Sequence, residues 1–356
     1  MKKKCVAAFV ILLCFLTGCS KSGDTGTQTS STDRHVTDSV RSVEEVTAAQ
    51  AESGTEMTNM GMADAKEAPA VYMTTDISPE GMKKVYDALG RSLTGNVAVK
   101  LSTGEAGGSY YLSPDLIKNL VQSVNGTIVE CNTAYGGSRA NTAMHRQVAE
   151  DHGFTAIANV DIMDENGSMS IPVTGGKNLT EDLVGVNLEH YDSMMVLSHF
   201  KGHSMGGFGG AVKNISIGVG SAEGKLLIHS GGKSRTSWGG GSQDAFLESM
   251  AEAASAVIDY MGEENMLYIS VMNNLSVDCD CDSNPAKPDM HDVGILASLD
   301  PVALDQACVD LVYAAPDGDS LIERMESRNG IHTLEHAENI GAGSRSYELI
   351  SVDSQN

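Results

Sequence analysis

The sequence predicts an α/β fold with a largely parallel or mixed sheet and flanking helices. Three observations carry this. Short apolar, β-branched runs alternate with helix-patterned stretches through most of the chain. Helix-start and helix-stop residues punctuate the alternation. The glycine-rich and polar motifs follow directly after predicted strands, where ligands sit in sheets of this kind. No fixed-period repeat is present.

The elements follow in order. Asn96 to Leu101 is apolar and β-branched and reads as a strand. Ser113-Pro114-Asp115 places a cap, a proline at the first helical position and an acid in the first turn, so a helix runs to about Val124. Gly126 stops it, and Thr127 to Cys131 is the next strand. Arg139 to His152 has a helical pattern and ends at Gly153. Met194 to Leu197 is a buried-strand run. Asp244 to Met261 is a long helix stopped by Gly262. Leu267 to Val271 and Val293 to Ala297 are strands, Asp300-Pro301 opens a helix through Tyr313, and Glu348 to Val352 is a last strand.

The first residues predict an address rather than a fold. Lys2, Lys3 and Lys4 precede an apolar run from Val6 to Leu16, too short to span a bilayer as a stable helix. Leu16-Thr17-Gly18-Cys19 resembles a bacterial lipobox, which implies cleavage after Gly18 and a lipid on the Cys19 thiol. Residues 1–18 then form a signal peptide, 19–68 a flexible Ser/Thr-rich acidic tether, and 69–356 one α/β domain. From Ser20 to Ala68 there is no Phe, Trp or Tyr, too little apolar surface to offset the entropy of ordering. The protein is expected outside the cytoplasm, anchored to the bacterial membrane by that lipid.

This processing changes the arithmetic. Of seven cysteines, Cys131, Cys279, Cys281 and Cys308 remain for chemistry. The signal carries three lysines and no acid, so its loss takes the formal charge from −23 to −26. Such a balance excludes nucleic acid as an electrostatic partner. A local basic cluster inside an acidic shell remains compatible with it.

Four motifs carry candidate chemistry. Ser198-His199-Phe200-Lys201-Gly202-His203 follows a strand and offers two imidazoles to a metal, with Lys201 between them. The alternative is a loop whose histidines hydrogen-bond backbone. Gly206 to Asn214 is glycine-dense and ends in Lys213 and Asn214. Gly207, Gly209 and Gly210 would let backbone N–H groups form an anion nest, with Lys213, Asn214 and Lys225 as partners. The nucleotide-triphosphate loop pattern fails, because Val219 and Leu226 stand where Gly and Ser/Thr are required. Around Cys131, the residues Asn132, Tyr135 and Arg139 offer hydrogen bonds and a planar fork for a carboxylate or phosphate. His145 follows in the next helix.

The fourth motif is Asp278-Cys279-Asp280-Cys281-Asp282. Along an extended chain both thiols point to one side and chelate a soft metal. Disulfide chemistry is the rival in an oxidising compartment, though a Cys279–Cys281 bridge closes a small ring and is disfavoured here. A hard cation on the three aspartates is a third reading, and Ser283 breaks the EF-hand spacing.

These pieces occur in one order, from Glu105 through Asn132 to Arg139, the His199–His203 motif, Lys213-Asn214, Gly224-Lys225, His229, Asp278 to Cys281, and Gly294 to Asp305. Together they resemble the bacterial and archaeal domain-of-unknown-function 362 family, often labelled iron–sulfur centre proteins, over roughly Val97 to Leu311. Many relatives carry a ferredoxin-like cysteine insert after the position of His229. Here Ser230 to Gly241 has no cysteine, so no four-iron four-sulfur cluster is expected. The resemblance implies architecture more than activity.

Two readings follow with equal weight. In one, His199, His203, Cys279 and Cys281 hold a zinc, iron or nickel ion beside an anionic small molecule bound by Lys201, Lys213 and Arg139, with Lys201, Lys213 and His145 as the catalytic candidates. In the other, a metal-free module captures an anionic small molecule in the glycine-rich loop. A disulfide-stabilised interaction protein is a third.

Overall fold

A computed structural model describes residues 67–354. The expected signal peptide, Cys19 and the expected tether up to residue 66 lie outside the described residues. Among the described residues, no helix is long and apolar enough to cross a membrane.

The chain runs β1 (Ala70–Thr74), α1 (Pro79–Ala88), β2 (Val97–Lys100), α2 (Pro114–Ser123), β3 (Thr127–Glu130), α3 (Thr142–Asp151) and β4 (Val160–Ile162). It continues through β5 (Ser168–Pro172), β6 (Glu181–Gly185), β7 (Ser193–His199), β8 (Lys201–His203), β9 (Gly207–Gly209), α4 (Ala211–Ser216) and α5 (Ala222–His229). The last part is α6 (Gln243–Met261), β10 (Met266–Met272), β11 (Gly294–Ser298), α7 (Pro301–Ala314), α8 (Asp319–Ser327), α9 (His332–Asn339) and β12 (Glu348–Ser351).

Eight strands form one sheet in the order β12-β1-β11-β10-β7-β2-β3-β4. Only β11 runs against its neighbours; every other pair is parallel. The α/β expectation with a mixed, mostly parallel sheet is met. Helices cover both faces, so β7 and β10 are buried along nearly their whole length. One core gathers Val196, Ile215, Val257 and Leu304 on the face of α4, α6 and α7. The other gathers Met82, Ile117, Val99 and Leu197 beneath α1 and α2.

Local chemistry explains the boundaries. Asp300 caps α7, its carboxylate accepting from Val302 N at 2.8 Å and Ala303 N at 2.9 Å. Gly262, at φ 82°, ends α6 in a conformation that disfavours other residues. Ser113 stands at the cap of α2 but makes no side-chain cap bond there; Pro114 sets the first turn. The helix read from Arg139 starts later, because Asn141 accepts from Met144 N at 3.1 Å and fixes the cap at 141. The glycine run read as a loop is instead β9, paired antiparallel with β8, followed by α4.

Candidate functional site

The strand order reverses direction between β2 and β7, because β2 leads outward to β3 and β4 while β7 pairs on its other side. A cavity of about 610 Å³ opens beyond the carboxyl ends of these strands. Its wall comes from the segments after β2, β3 and β10, from the β8–β9 hairpin, and from α4 and α5. Asn214 ties the crevice together: its amide donates to Lys100 O and Leu197 O, both at 3.2 Å, at the ends of β2 and β7. It also reaches Ser198 Oγ at 3.1 Å. The amide read as an anion partner is thereby engaged in holding the strand ends.

The cavity wall is rich in cations, and most are matched. Lys201 donates to Asp280 Oδ1 at 3.0 Å and to Tyr110 O at 3.2 Å. Arg139 is buried between Glu105 Oε2 and Glu130 Oε2, both at 3.4 Å, with Tyr135 Oη at 3.1 Å. Lys225 donates to Gly220 O at 2.6 Å, and Lys100 to Leu101 O. Lys213 is the exception. Among the described residues its ammonium has no hydrogen-bond acceptor and no carboxylate within ion-pair distance. Burial, reinforced by Lys100, Arg139 and Lys225, lowers its pKa to about 8.

The acids respond in kind. Burial alone would raise Glu130, but His145, Arg139 and Lys100 outweigh it and hold the carboxylate well below the usual range. Asp280 is buried too, and His199 and Lys201 keep its pKa lowered. Glu130 also accepts from Thr103 N and Thr103 Oγ1, each at 2.6 Å. His145 stands behind Glu130, its Nε2 3.4 Å from Oε1, fully buried and outside the cavity wall.

The three imidazoles of the wall differ in what their nitrogens do. His199 meets two acceptors, Asp280 Oδ2 at 2.9 Å on Nδ1 and Asn273 O at 2.7 Å on Nε2. Both ring nitrogens are turned to oxygen acceptors and neither offers a lone pair to the cavity, which removes His199 from metal ligation in this arrangement. His203 Nδ1 accepts from Gly206 N at 2.8 Å. Burial, then Lys213 and His229, hold His203 well below its usual pKa, so the ring is neutral. His229 bonds Lys225 O through Nδ1 at 2.6 Å, which makes Nδ1 the hydrogen-bearing atom and leaves Nε2 its lone pair. Burial lowers its pKa to about 4. In the sequence His229 has a place in the motif order but no role; its helix-end position beside the glycine segment is the signal that marks it.

His203, Cys279 and Cys281 can present one ligand atom each within 4.8 Å of one another. Of the two histidines expected to meet the cysteine pair, His203 is brought to it and His199 is not part of the group. Two expectations about the pair are corrected. Residues 279–282 form a turn, with Asp282 N donating to Cys279 O at 3.1 Å, rather than an extended run. The turn brings the two Cα atoms to 5.3 Å and the cysteines are joined as a disulfide, the bridge the sequence disfavoured. Cys131 and Cys308 are free and buried.

The anion nest is corrected as well. The first N–H groups of α4, Ala211 N and Val212 N, already bind the buried Asp305 carboxylate at 2.7 and 2.9 Å. A side chain at Gly210 would strike that carboxylate at 2.2 Å. Gly209 and Gly210 line the cavity, but Gly207 does not. It packs on Gly330, where a Cβ would lie 2.9 Å from Cα. Asn132 also turns away from the cavity, donating to Thr142 Oγ1 at 3.1 Å and Asp164 Oδ1 at 3.0 Å. Tyr135 remains in the wall, its hydroxyl 3.3 Å from Cys281 O.

No curated protein matches the chain. Among the solved structures similar to it are these two. The lactate racemase apoprotein from Thermoanaerobacterium thermosaccharolyticum shares 14% identity at a TM-score of 0.40, over 71% of this chain and 59% of that one. A protein from Thermotoga maritima shares 10% at 0.33, over 73% and 58%. The chain thus spans less than two thirds of the length of either. Residues 97–310 match the family model described as domain of unknown function (DUF362). The match covers β2 through most of α7, every strand that builds the cavity, and the chain belongs to the DUF362 family.

Proposed function

We propose that this DUF362 member is a lipid-anchored extracytoplasmic protein whose cavity binds a metal ion beside an anionic small molecule. The observation that carries the pocket reading is the meeting of His203, Cys279 and Cys281 in the same wall as the unmatched Lys213. The donor set fits a borderline or soft ion such as zinc, nickel or iron, on two conditions. The cysteines must be reduced, because the thiolate is the ligand. His203 must also give up its bond from Gly206 N, a loss of about 0.5–1.5 kcal/mol.

Bound there, the ion would supply Lewis-acid chemistry, polarising a carbonyl or activating water. The chain's own residues do the rest. Lys213 attracts the anionic end of the ligand. Asp280 fixes Lys201 and His199 and so holds the 278–282 turn over the cavity. The Arg139–Glu105–Glu130 network sets the opposite wall.

Metal analysis of reduced protein made without affinity histidines tests this; substoichiometric zinc, iron and nickel would sink it. A second reading keeps the anion and drops the metal, and the bridged cysteines favour it. It predicts unchanged anion binding after Cys279→Ser and Cys281→Ser. Anchoring rests on the lipobox-like Cys19, and Cys19→Ala should move the protein from the membrane fraction to the soluble one. Retention at the membrane would count against the lipid.

A further inference from the structure

The same two sulfurs have two exclusive uses. In a disulfide each is neutral and a poor donor, which leaves His203 alone in the proposed ligand set. As thiolates they complete it. We infer that Cys279 and Cys281 are a redox gate on this cavity: bridged, they shut out a divalent metal ion, and once reduced by a dithiol they admit it with His203. The inference rests on the metal reading and adds its regulation.

Three features separate a gate from a structural bridge. First, the cysteines are two residues apart, so the bridge constrains almost no chain and stabilises little through loop entropy. Second, the turn that carries them is held without it. Glu105 N donates to Asp280 O at 2.7 Å, and the Asp280 carboxylate bonds His199 and Lys201. Arg324 donates to Val277 O at 2.6 Å. Breaking the sulfur–sulfur bond therefore leaves both thiols facing His203 rather than releasing a loop.

Third, the pair is reachable and isolated. Both cysteines are part-exposed and line the open cavity, where a small dithiol can enter. Cys131 borders the same cavity but is buried, its thiol donating to Val219 O at 3.2 Å and pushed up to about 12 by burial, and Cys308 is buried in the core. Neither is poised to exchange with the bridge. The balance is simple. A dithiol gives two electrons and two protons to the bridge and becomes a disulfide itself; the divalent ion then displaces two protons from the new thiols.

The test is zinc titration against a chromophoric chelator, on full-chain protein without affinity histidines. Oxidised protein is compared with protein reduced by a phosphine and freed of it without air. Reduction is expected to raise the thiol count by two and zinc uptake from near zero to about one equivalent. Zinc should then protect the two new thiols from alkylation. His203→Ala should weaken uptake at least tenfold while the two thiols still appear, which separates ligation from folding. Equal uptake in both redox states overturns the gate and leaves the metal reading standing. No uptake in either state overturns the metal reading and the gate with it. An unchanged thiol count on reduction overturns the gate alone.

Discussion

Lys213 is set apart by what its neighbours lack to offer it. Each other cation of the wall meets a carboxylate or a carbonyl, while Lys213 faces the cavity with its charge unanswered. Its pKa of about 8 gives the pH dependence of anion binding a definite sign. Below about 8 the ammonium is charged and binds; as pH rises through 8 it is lost. Calorimetry with inorganic sulfate, whose charge is constant over this range, should show affinity falling at least tenfold between pH 6.5 and 9.5. Lys213→Met should weaken that dependence, leaving the share of Lys100, which burial also lowers to about 8. Glu130 makes the opposite case. Glu130→Gln leaves Arg139 buried with one carboxylate fewer and should cost about 3–5 kcal/mol in urea unfolding. The residue types of this site were legible in the sequence: Lys213, His203 and the cysteine pair were all singled out there. Their roles were not, because Asp280 reaches His199 and Lys201 from about eighty positions away. No local pattern encodes such a partner.

At the scale of elements, the long apolar runs were readable because burial on both faces leaves little sequence freedom. β7, β10 and α6 appear within two residues of their predicted bounds. β8, β9 and α4 were not readable. Each has six residues or fewer, and glycines mask any period. α4 owes its start to Asp305, which lies on α7. Burial raises both Asp305 and Asp182 to about 7. The folded state then holds protons that the unfolded state has released, so stability from these groups is full below about 4 and declines as pH rises to about 7. Glu248 runs the other way. Burial opposes it, but Lys177, Asn178 and His332 lower it to about 2, and its contribution fades as pH falls from about 4.5 toward 2. Melting temperature against pH should therefore slope down between pH 5 and 7, and Asp305→Asn should flatten that slope.

For the whole molecule, the sheet has one consequence that belongs to the birth of the chain. β1 lies between β11 and β12, pairing Val71 with Ser298 on one side and Ala70 with Glu348 on the other. Thr75 N also donates to Asp353, at 2.9 Å. The first described strand thus waits for residues 294–298 to cover one edge and for residues 348–351 to cover the other. Until then it presents a bare strand edge, the kind that joins chains to one another. Deleting residues 348–354 is expected to leave the cavity strands intact yet yield aggregates, measurable by light scattering during refolding. A nascent chain not yet extended past Glu348 would hold the same unfinished sheet.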